Sequence, residues 1–236
     1  MSQKRKTSRP PILAEFGIFP MPSRAPFLIE FLQNERLRRL IPMIDFSSNR
    51  KCIGLDIGCG AGYLVHYLAR QLNGIMIGID VSKDLVQYAK SKAHLSGIDN
   101  IEYILCDIAR LPFKRDSFDL VVCTSVLEHI NDLESVIKDI KLSMSKKGVL
   151  IAGYPIETRL FISLLRLLAP YGLIIRDPRI LGEEKFQKSP ETHKQSFMII
   201  RHLLQEHFLI VQRKKLFFTI LPDLLSWYEC VKMNKA

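Results

Sequence analysis

The sequence predicts an α/β fold built on a doubly wound, mostly parallel sheet, and three observations carry that prediction. Short apolar runs alternate with amphipathic stretches at helical spacing from about residue 52 to residue 154, the pattern of strands joined by crossover helices. The first run, Ile53 to Ile57, leads directly into Gly58, Gly60 and Gly62 and then into Tyr63, Leu64, Leu68 and Leu72 at helical period. Three successive apolar runs close on an aspartate, Asp56, Asp80 and Asp107, at what would be one edge of the sheet.

Residues 1–24 are basic and proline-rich, with Lys4, Arg5, Lys6 and Arg9, and read as a flexible tail before a single domain over 25–236. From Ala25 to Ile44 the apolar positions Phe27, Leu28, Phe31, Leu32, Leu37, Leu40 and Ile41 keep helical period. They define an N-terminal helix with Arg36, Arg38 and Arg39 off its apolar face, in solvent. Ser47-Ser48-Asn49 turns the chain into the first strand. The glycines that follow are needed because a side chain would hold a ligand away from the backbone amides. A helix opening at Ala61 adds free N–H groups and a partial positive charge.

This turn reads G-x-G-x-G, and Tyr63 stands where a dinucleotide fingerprint wants its third glycine. Asp56 would repel a pyrophosphate but suits a ligand carrying a cationic amine. A nicotinamide-dependent dehydrogenase therefore ranks last.

The second strand, Gly74 to Asp80, ends in an acid, and Ser82 caps a helix from Lys83 to Ser96 with Leu85, Val86, Ala89 and Ala93 inward. Asp80 follows Gly58 at about 20 residues, the separation at which crossover folds place the carboxylate that takes ribose hydroxyls. Gly97 ends that helix. A third strand, Ile101 to Cys106, runs into Asp107. The loop from Ile108 to Asp116 carries Leu111-Pro112-Phe113, which packs on an adenine or on the core. A fourth strand, Phe118 to Cys123, ends near Ser125. Leu133 to Ser145 reads as a helix, Lys146-Lys147-Gly148 as a turn and Val149 to Tyr154 as the fifth strand. Thr158 to Leu181 breaks the alternation with an apolar helix bearing Arg159 and Arg166 and stopped by Pro170. A helix over His193 to His207 and two strands, Leu209 to Lys215 and Trp227 to Met233, complete the chain.

Four stretches together resemble the class I S-adenosylmethionine-dependent methyltransferases of the small ubiquinone/menaquinone-methylase type. They are LDIGCGAGYL, GIDVSKDLVQYAK, CDIARLPFKRDSFDLVVCTSVLEHI and LSMSKKGVLIAGYP. The resemblance implies a seven-stranded Rossmann-like sheet with its last strand antiparallel. It also implies a cofactor-binding core over 50–155 and an acceptor-side insertion over about 156–192. It places Asp56, Gly58, Cys59, Gly60 and Gly62 along the methionine part of S-adenosyl-L-methionine. Asp80, with Val81 after it, falls at the ribose, Asp107 and Ile108 at the adenine, and Ser125 along the cofactor. S-adenosyl-L-homocysteine is the product so implied.

Composition narrows the partners. Residues 1–50 carry nine Lys/Arg against four Asp/Glu, residues 51–150 twelve of each, and residues 151–236 thirteen against eight. The whole +10 excess thus lies on the flanks, where an acceptor would be held, which favours an anionic acceptor or simply a soluble basic surface. The apolar stretch with arginines also suits a lipid-like acceptor and peripheral membrane contact. No apolar run approaches the roughly 18 residues of a membrane span. Five cysteines without a C-x-x-C pair argue against disulfides and a zinc site, so no metal is expected and a reducing cytoplasm is the expected home.

A sulfonium methyl is already electrophilic, so placement of the acceptor does most of the work. An oxygen or carbon acceptor also wants a general base. His129, beside Glu128 after the fourth strand, is the candidate catalytic residue; its alternative role is to cap the helix beginning near Asn131. His193 and Tyr154 are weaker alternatives, and His66, His94, His202 and His207 read as structural. An RNA methyltransferase would account for the charge, but no RNA-binding module and no N-P-P-Y motif is present. A non-catalytic cofactor-binding or partner protein would keep the same fold.

Overall fold

A computed structural model of the chain describes residues 35–46, 50–156, 193–216 and 228–235. The tail over 1–24, the first part of the N-terminal helix, the Ser47-Ser48-Asn49 turn and all but the first residue of the expected insertion lie outside the described residues.

The strands are β1 (Cys52–Ile57), β2 (Gly74–Asp80), β3 (Ile101–Leu105), β4 (Phe118–Thr124), β5 (Met144–Pro155), β6 (Phe208–Lys215) and β7 (Tyr228–Lys235). They form one sheet in the order β3-β2-β1-β4-β5-β7-β6. The pairs through β5 are parallel, and β7 runs antiparallel to both β5 and β6. The doubly wound, seven-stranded architecture with an antiparallel last strand is as expected. Its order reverses between β1 and β4, so ligand space opens beyond the carboxyl ends of those strands.

Four helices are bounded in the described residues: α1 (Tyr63–Gln71), α2 (Lys83–Leu95), α3 (Leu133–Ser143) and α4 (Phe197–His207). The pleat divides the core between two faces. Val121 and Cys123 of β4 join Val136, Ile137 and Ile140 of α3 and Ile200 and Leu204 of α4 on one face. Leu120 and Val122 join Leu64, Val65 and Leu68 of α1, Val86 and Ala89 of α2, and Leu40 and Met43 on the other. Residues 35–40 are helical and continue into a 3-10 turn, Ile41–Met43.

Local chemistry sets the boundaries. Ser82, Asp132 and Ser196 each accept a backbone N–H three residues on, so each starts a helix. At the end of α2 the Gly97 N–H donates to His94 O and the Ile98 N–H to Ala93 O, a closure that puts Gly97 at φ 61°.

Several expectations are corrected. β5 begins at Met144, where a helix end was expected, because Met144 already pairs with Phe118; Lys146-Lys147-Gly148 fall in an irregularity of the strand before pairing resumes at Val149 with Leu120. Leu85 is exposed rather than inward. Arg36 is half-buried, its guanidinium 4.6 Å from the centroid of the Tyr228 ring, a cation–π contact that the helical pattern does not reveal. Residues 193–196 are not helical, because Lys194 and Gln195 donate their N–H groups to Glu128 O instead. Among the described residues no helix is long and apolar enough to cross a membrane.

Candidate functional site

The turn after β1 folds over the end of β2. The Gly58 and Cys59 N–H groups both donate to Ile79 O, at 2.8 and 2.9 Å. Gly58, Gly60 and Gly62 all take positive φ, at 69°, 53° and 81°. What surrounds them differs. A Cβ at Gly58 would run into Val126 Cγ2, and one at Gly62 into the Tyr103 hydroxyl, whereas one at Gly60 would meet nothing within 4 Å. Two of the glycines are therefore required by protein packing, and the middle one faces open space. Helix α1 starts at Tyr63 with Gly62 as its left-handed cap, two residues later than expected.

Asp80, the last residue of β2, holds this turn. Its Oδ2 accepts the Gly60 N–H and its Oδ1 the Ser82 N–H, both at 2.8 Å. An ionised carboxylate has about four acceptor sites, so hydroxyls can still be taken. Val81 beside it is 74% exposed, an apolar surface at the sheet tip. Asp56, one residue before the end of β1, is 3% exposed. Burial, and then the nearby Asp80 charge, push its carboxyl up to about 8. Burial likewise raises the Cys59 thiol.

Asp107 is exposed just beyond β3, and its Oδ1 accepts the Ala109 N–H at 2.9 Å, capping a 3-10 turn whose first residue, Ile108, is buried. Ser125 follows β4 at φ 56°, its N–H donating to Gly153 O, and its Oγ lies 3.1 Å from the Tyr228 hydroxyl in a hydrogen bond. Asp56, Asp80, Asp107 and Ser125 thus stand at the carboxyl ends of four adjacent strands, as expected.

Beyond Ser125 a 3-10 turn, Leu127–His129, carries the acceptor-side candidates. The His129 and His193 rings meet edge-on, with centroids 5.0 Å apart and planes inclined at 68°. Glu128 lies between the strand end and this pair and is 2% exposed. Donor atoms of Glu128, His129 and His193 all lie within 4.8 Å of one another. His193 is held there by its neighbours: the Lys194 and Gln195 N–H groups on Glu128 O, and the Gln195 side-chain amide on Ile130 O and Asn131 O. His129 does not cap α3, whose cap is Asp132.

Tyr154 departs from its expected place. It is fully buried, and its hydroxyl donates to Glu229 Oε2 at 2.5 Å in a network with Arg201 and Arg213. Burial first, and then Glu229, keep that phenol protonated. His66 packs edge-on against Tyr103, the structural role expected of it. Sequence reasoning missed Tyr103, Val126, Tyr228 and the role of Glu128. Their partners are remote in the chain, and only the alternation within β3 signalled that Tyr103 points inward.

A family model described as a methyltransferase domain matches residues 48–205. The chain belongs to that methyltransferase family. This bears out the resemblance to class I S-adenosylmethionine-dependent enzymes. Among curated relatives, the chain is 30% identical over 126 residues to the methyltransferase GfsG of Streptomyces halstedii, covering 52% of this chain and 44% of the relative. It is 38% identical over 85 residues to a ubiquinone biosynthesis O-methyltransferase of Coxiella burnetii, covering 36% of each. The chain thus spans less than half the length of these curated relatives. Among solved structures, the PH0226 protein of Pyrococcus horikoshii OT3 superposes with a TM-score of 0.65 at 19% identity, covering 86% of this chain and 91% of that one. The N-methyltransferase NodS of Bradyrhizobium japonicum, solved with S-adenosyl-L-homocysteine, gives 0.60 at 18%, covering 86% and 87%. At those identities both show the fold alone.

Proposed function

We propose that this chain is an S-adenosyl-L-methionine-dependent methyltransferase acting on a small-molecule or lipid-like acceptor with anionic character. One observation carries the reading: Asp80, whose charge also acts on the buried Asp56, clasps the Gly60 amide while the Cβ side of Gly60 stays open. An added Cβ there would stand in space that no protein atom approaches within 4 Å. A carboxyl raised to about 8 by burial and by Asp80 is relieved by a cation beside it, which suits an amine- and sulfonium-bearing ligand better than a pyrophosphate.

When bound, the cofactor supplies a methyl group on a sulfonium. The chain's own residues do the rest. Asp80, with Val81 after it, would hold the ribose, Asp56 and the glycine turn the methionine end, Asp107 and Ile108 the adenine side, and Ser125 the edge facing the acceptor. Ser125 is fixed through Tyr228, which Arg36 covers. His129, on the turn after Ser125, is the side chain on which removal of the acceptor proton depends. Two relatives are named O-methyltransferases, one of ubiquinone biosynthesis and one of a malonyl-acyl carrier protein, which supports an oxygen acceptor. The basic flanks support anionic character in the acceptor. The five free cysteines fit a reducing cytoplasm.

Incubation with methyl-labelled cofactor and fractionated cell extract tests this reading. It expects label in the small-molecule or lipid fraction. Label in RNA would replace that acceptor class with the nucleic-acid alternative, and no transfer at all would leave only cofactor binding.

A further inference from the structure

Two imidazoles and a carboxylate converge beyond the carboxyl end of β4. His129 ends the 3-10 turn after β4, whereas His193 arrives from the far side of a long segment. The two meet because the Lys194 and Gln195 N–H groups, at 2.7 and 3.1 Å, share the Glu128 carbonyl. The Gln195 amide adds bonds of 3.0 Å each to Ile130 O and Asn131 O. Four hydrogen bonds therefore fix the backbone on either side of the pair. The ligating atoms of Glu128, His129 and His193 lie within 4.8 Å of one another, and this is the one such group among the described residues. Glu128 is buried, His129 half-buried and His193 exposed, so the cluster has a rigid floor and an open mouth.

We propose that Glu128, His129 and His193 form a binding site for one divalent first-row transition metal ion, of which zinc is the type. Neutral imidazole suits zinc, cobalt, iron and nickel, and a single carboxylate beside two imidazoles is a poor set for calcium or magnesium, which take oxygen ligands. Ligands on a common zinc at about 2.0–2.2 Å stand closer together than these atoms do, so binding draws them in. The exposed His193 is the ligand with room to move. Three protein ligands leave a fourth position open, as in catalytic rather than structural zinc sites.

If the methyl-transfer reading holds, on which this part of the inference rests, that position takes the acceptor hydroxyl. Ligation lowers the hydroxyl pKa, its O–H bond breaks and the proton passes to solvent water. The electron pair left on oxygen forms the O–CH3 bond as the sulfonium S–CH3 bond breaks, its pair staying on sulfur to give S-adenosyl-L-homocysteine. His129 then serves the reaction by holding the metal.

The test uses full-length, tag-free protein treated with a chelator and dialysed. Titration with Co2+, followed by visible absorption, is expected to give ligand-field bands saturating at one equivalent. Calorimetry with Zn2+ is expected to show binding that His193→Ala weakens by more than about tenfold. The variant changes an exposed residue and should fold, which unchanged affinity for S-adenosyl-L-homocysteine confirms. The inference is overturned if neither metal binds, if His193→Ala binds Zn2+ as tightly as the parent, or if thiolate-to-Co2+ charge transfer shows a cysteine holding the ion. Metal binding without homocysteine-nucleoside binding would sink the methyltransferase reading and leave the metal site standing.

Discussion

The Gly60 amide N–H donates to Asp80 Oδ2 at 2.8 Å, tying the bend after the first strand to the tip of the second. The other oxygen of the same carboxylate takes the Ser82 N–H at 2.8 Å, so one side chain sets both the glycine turn and the start of α2. Asp80→Ala removes both bonds and, on the proposed function, the acceptor for the ribose. Affinity for S-adenosyl-L-homocysteine is expected to fall on the order of 100-fold, with about 1–3 kcal/mol lost in unfolding free energy. Calorimetry and denaturant titration measure the two effects, and unchanged affinity would remove Asp80 from the site.

The glycines separate packing from binding. Gly62→Ala drives a methyl group into Tyr103 at a positive φ, and is expected to cost about 2–4 kcal/mol of stability. A Cβ at Gly60 meets no protein atom within 4 Å, so Gly60→Ala should cost about 1–2 kcal/mol from backbone strain alone, and Gly60→Val, which extends further into the open side, is expected to abolish cofactor binding. A Gly60→Val protein that binds the nucleoside normally would show that the open side of the turn is not where the ligand sits.

Asp56 makes stability and binding depend on pH in opposite directions. Its carboxyl ordinarily titrates near 3.8 and in the fold near 8, because it is buried and faces Asp80. Between those values the folded chain keeps a proton that the unfolded chain has lost. Its stabilising contribution is therefore complete below pH 3.8 and is lost as pH rises through 8, by at most about 1.4 kcal/mol per unit. Asp56→Asn should flatten that slope. A cationic ligand beside Asp56 favours the ionised form, so cofactor binding near pH 7 is expected to release a proton. Calorimetry in buffers of different ionisation enthalpy reads that release, and its persistence in Asp56→Asn would assign the proton to another group.

His129 and Tyr154 differ in what they touch, and so should their variants. His129→Ala is expected to lower turnover on the order of 100-fold with cofactor affinity intact. Tyr154→Phe breaks the bond to Glu229 deep in the core and should lower stability by about 1.5–3 kcal/mol with turnover unchanged. Full activity in His129→Ala would take that residue out of the mechanism, and a turnover defect in a folded Tyr154→Phe would return Tyr154 to it.

What the sequence disclosed followed from local chemistry. Asp56, Asp80, Asp107 and Ser125 were legible because each stands at or just beyond the end of an apolar run, and Gly97 because only a left-handed residue ends α2 in that way. The true start of β5 was not legible, since Lys146-Lys147-Gly148 reads as a turn until Phe118 pairs with Met144. Residues 193–196 looked helical because their fate depends on the Glu128 carbonyl, which no local pattern reveals. Arg36 above Tyr228 and Tyr228 against Ser125 are contacts between distant segments, and the resemblance pointed to Ser125 without naming what holds it.

Calorimetric titration of the purified chain with S-adenosyl-L-homocysteine, alongside NADH, tests the central claim most directly. Saturable one-to-one binding of the former with no heat from NADH is the predicted result. Binding of NADH with none of the homocysteine nucleoside would contradict the assignment of the Asp56, Gly60 and Asp80 crevice to a sulfonium cofactor.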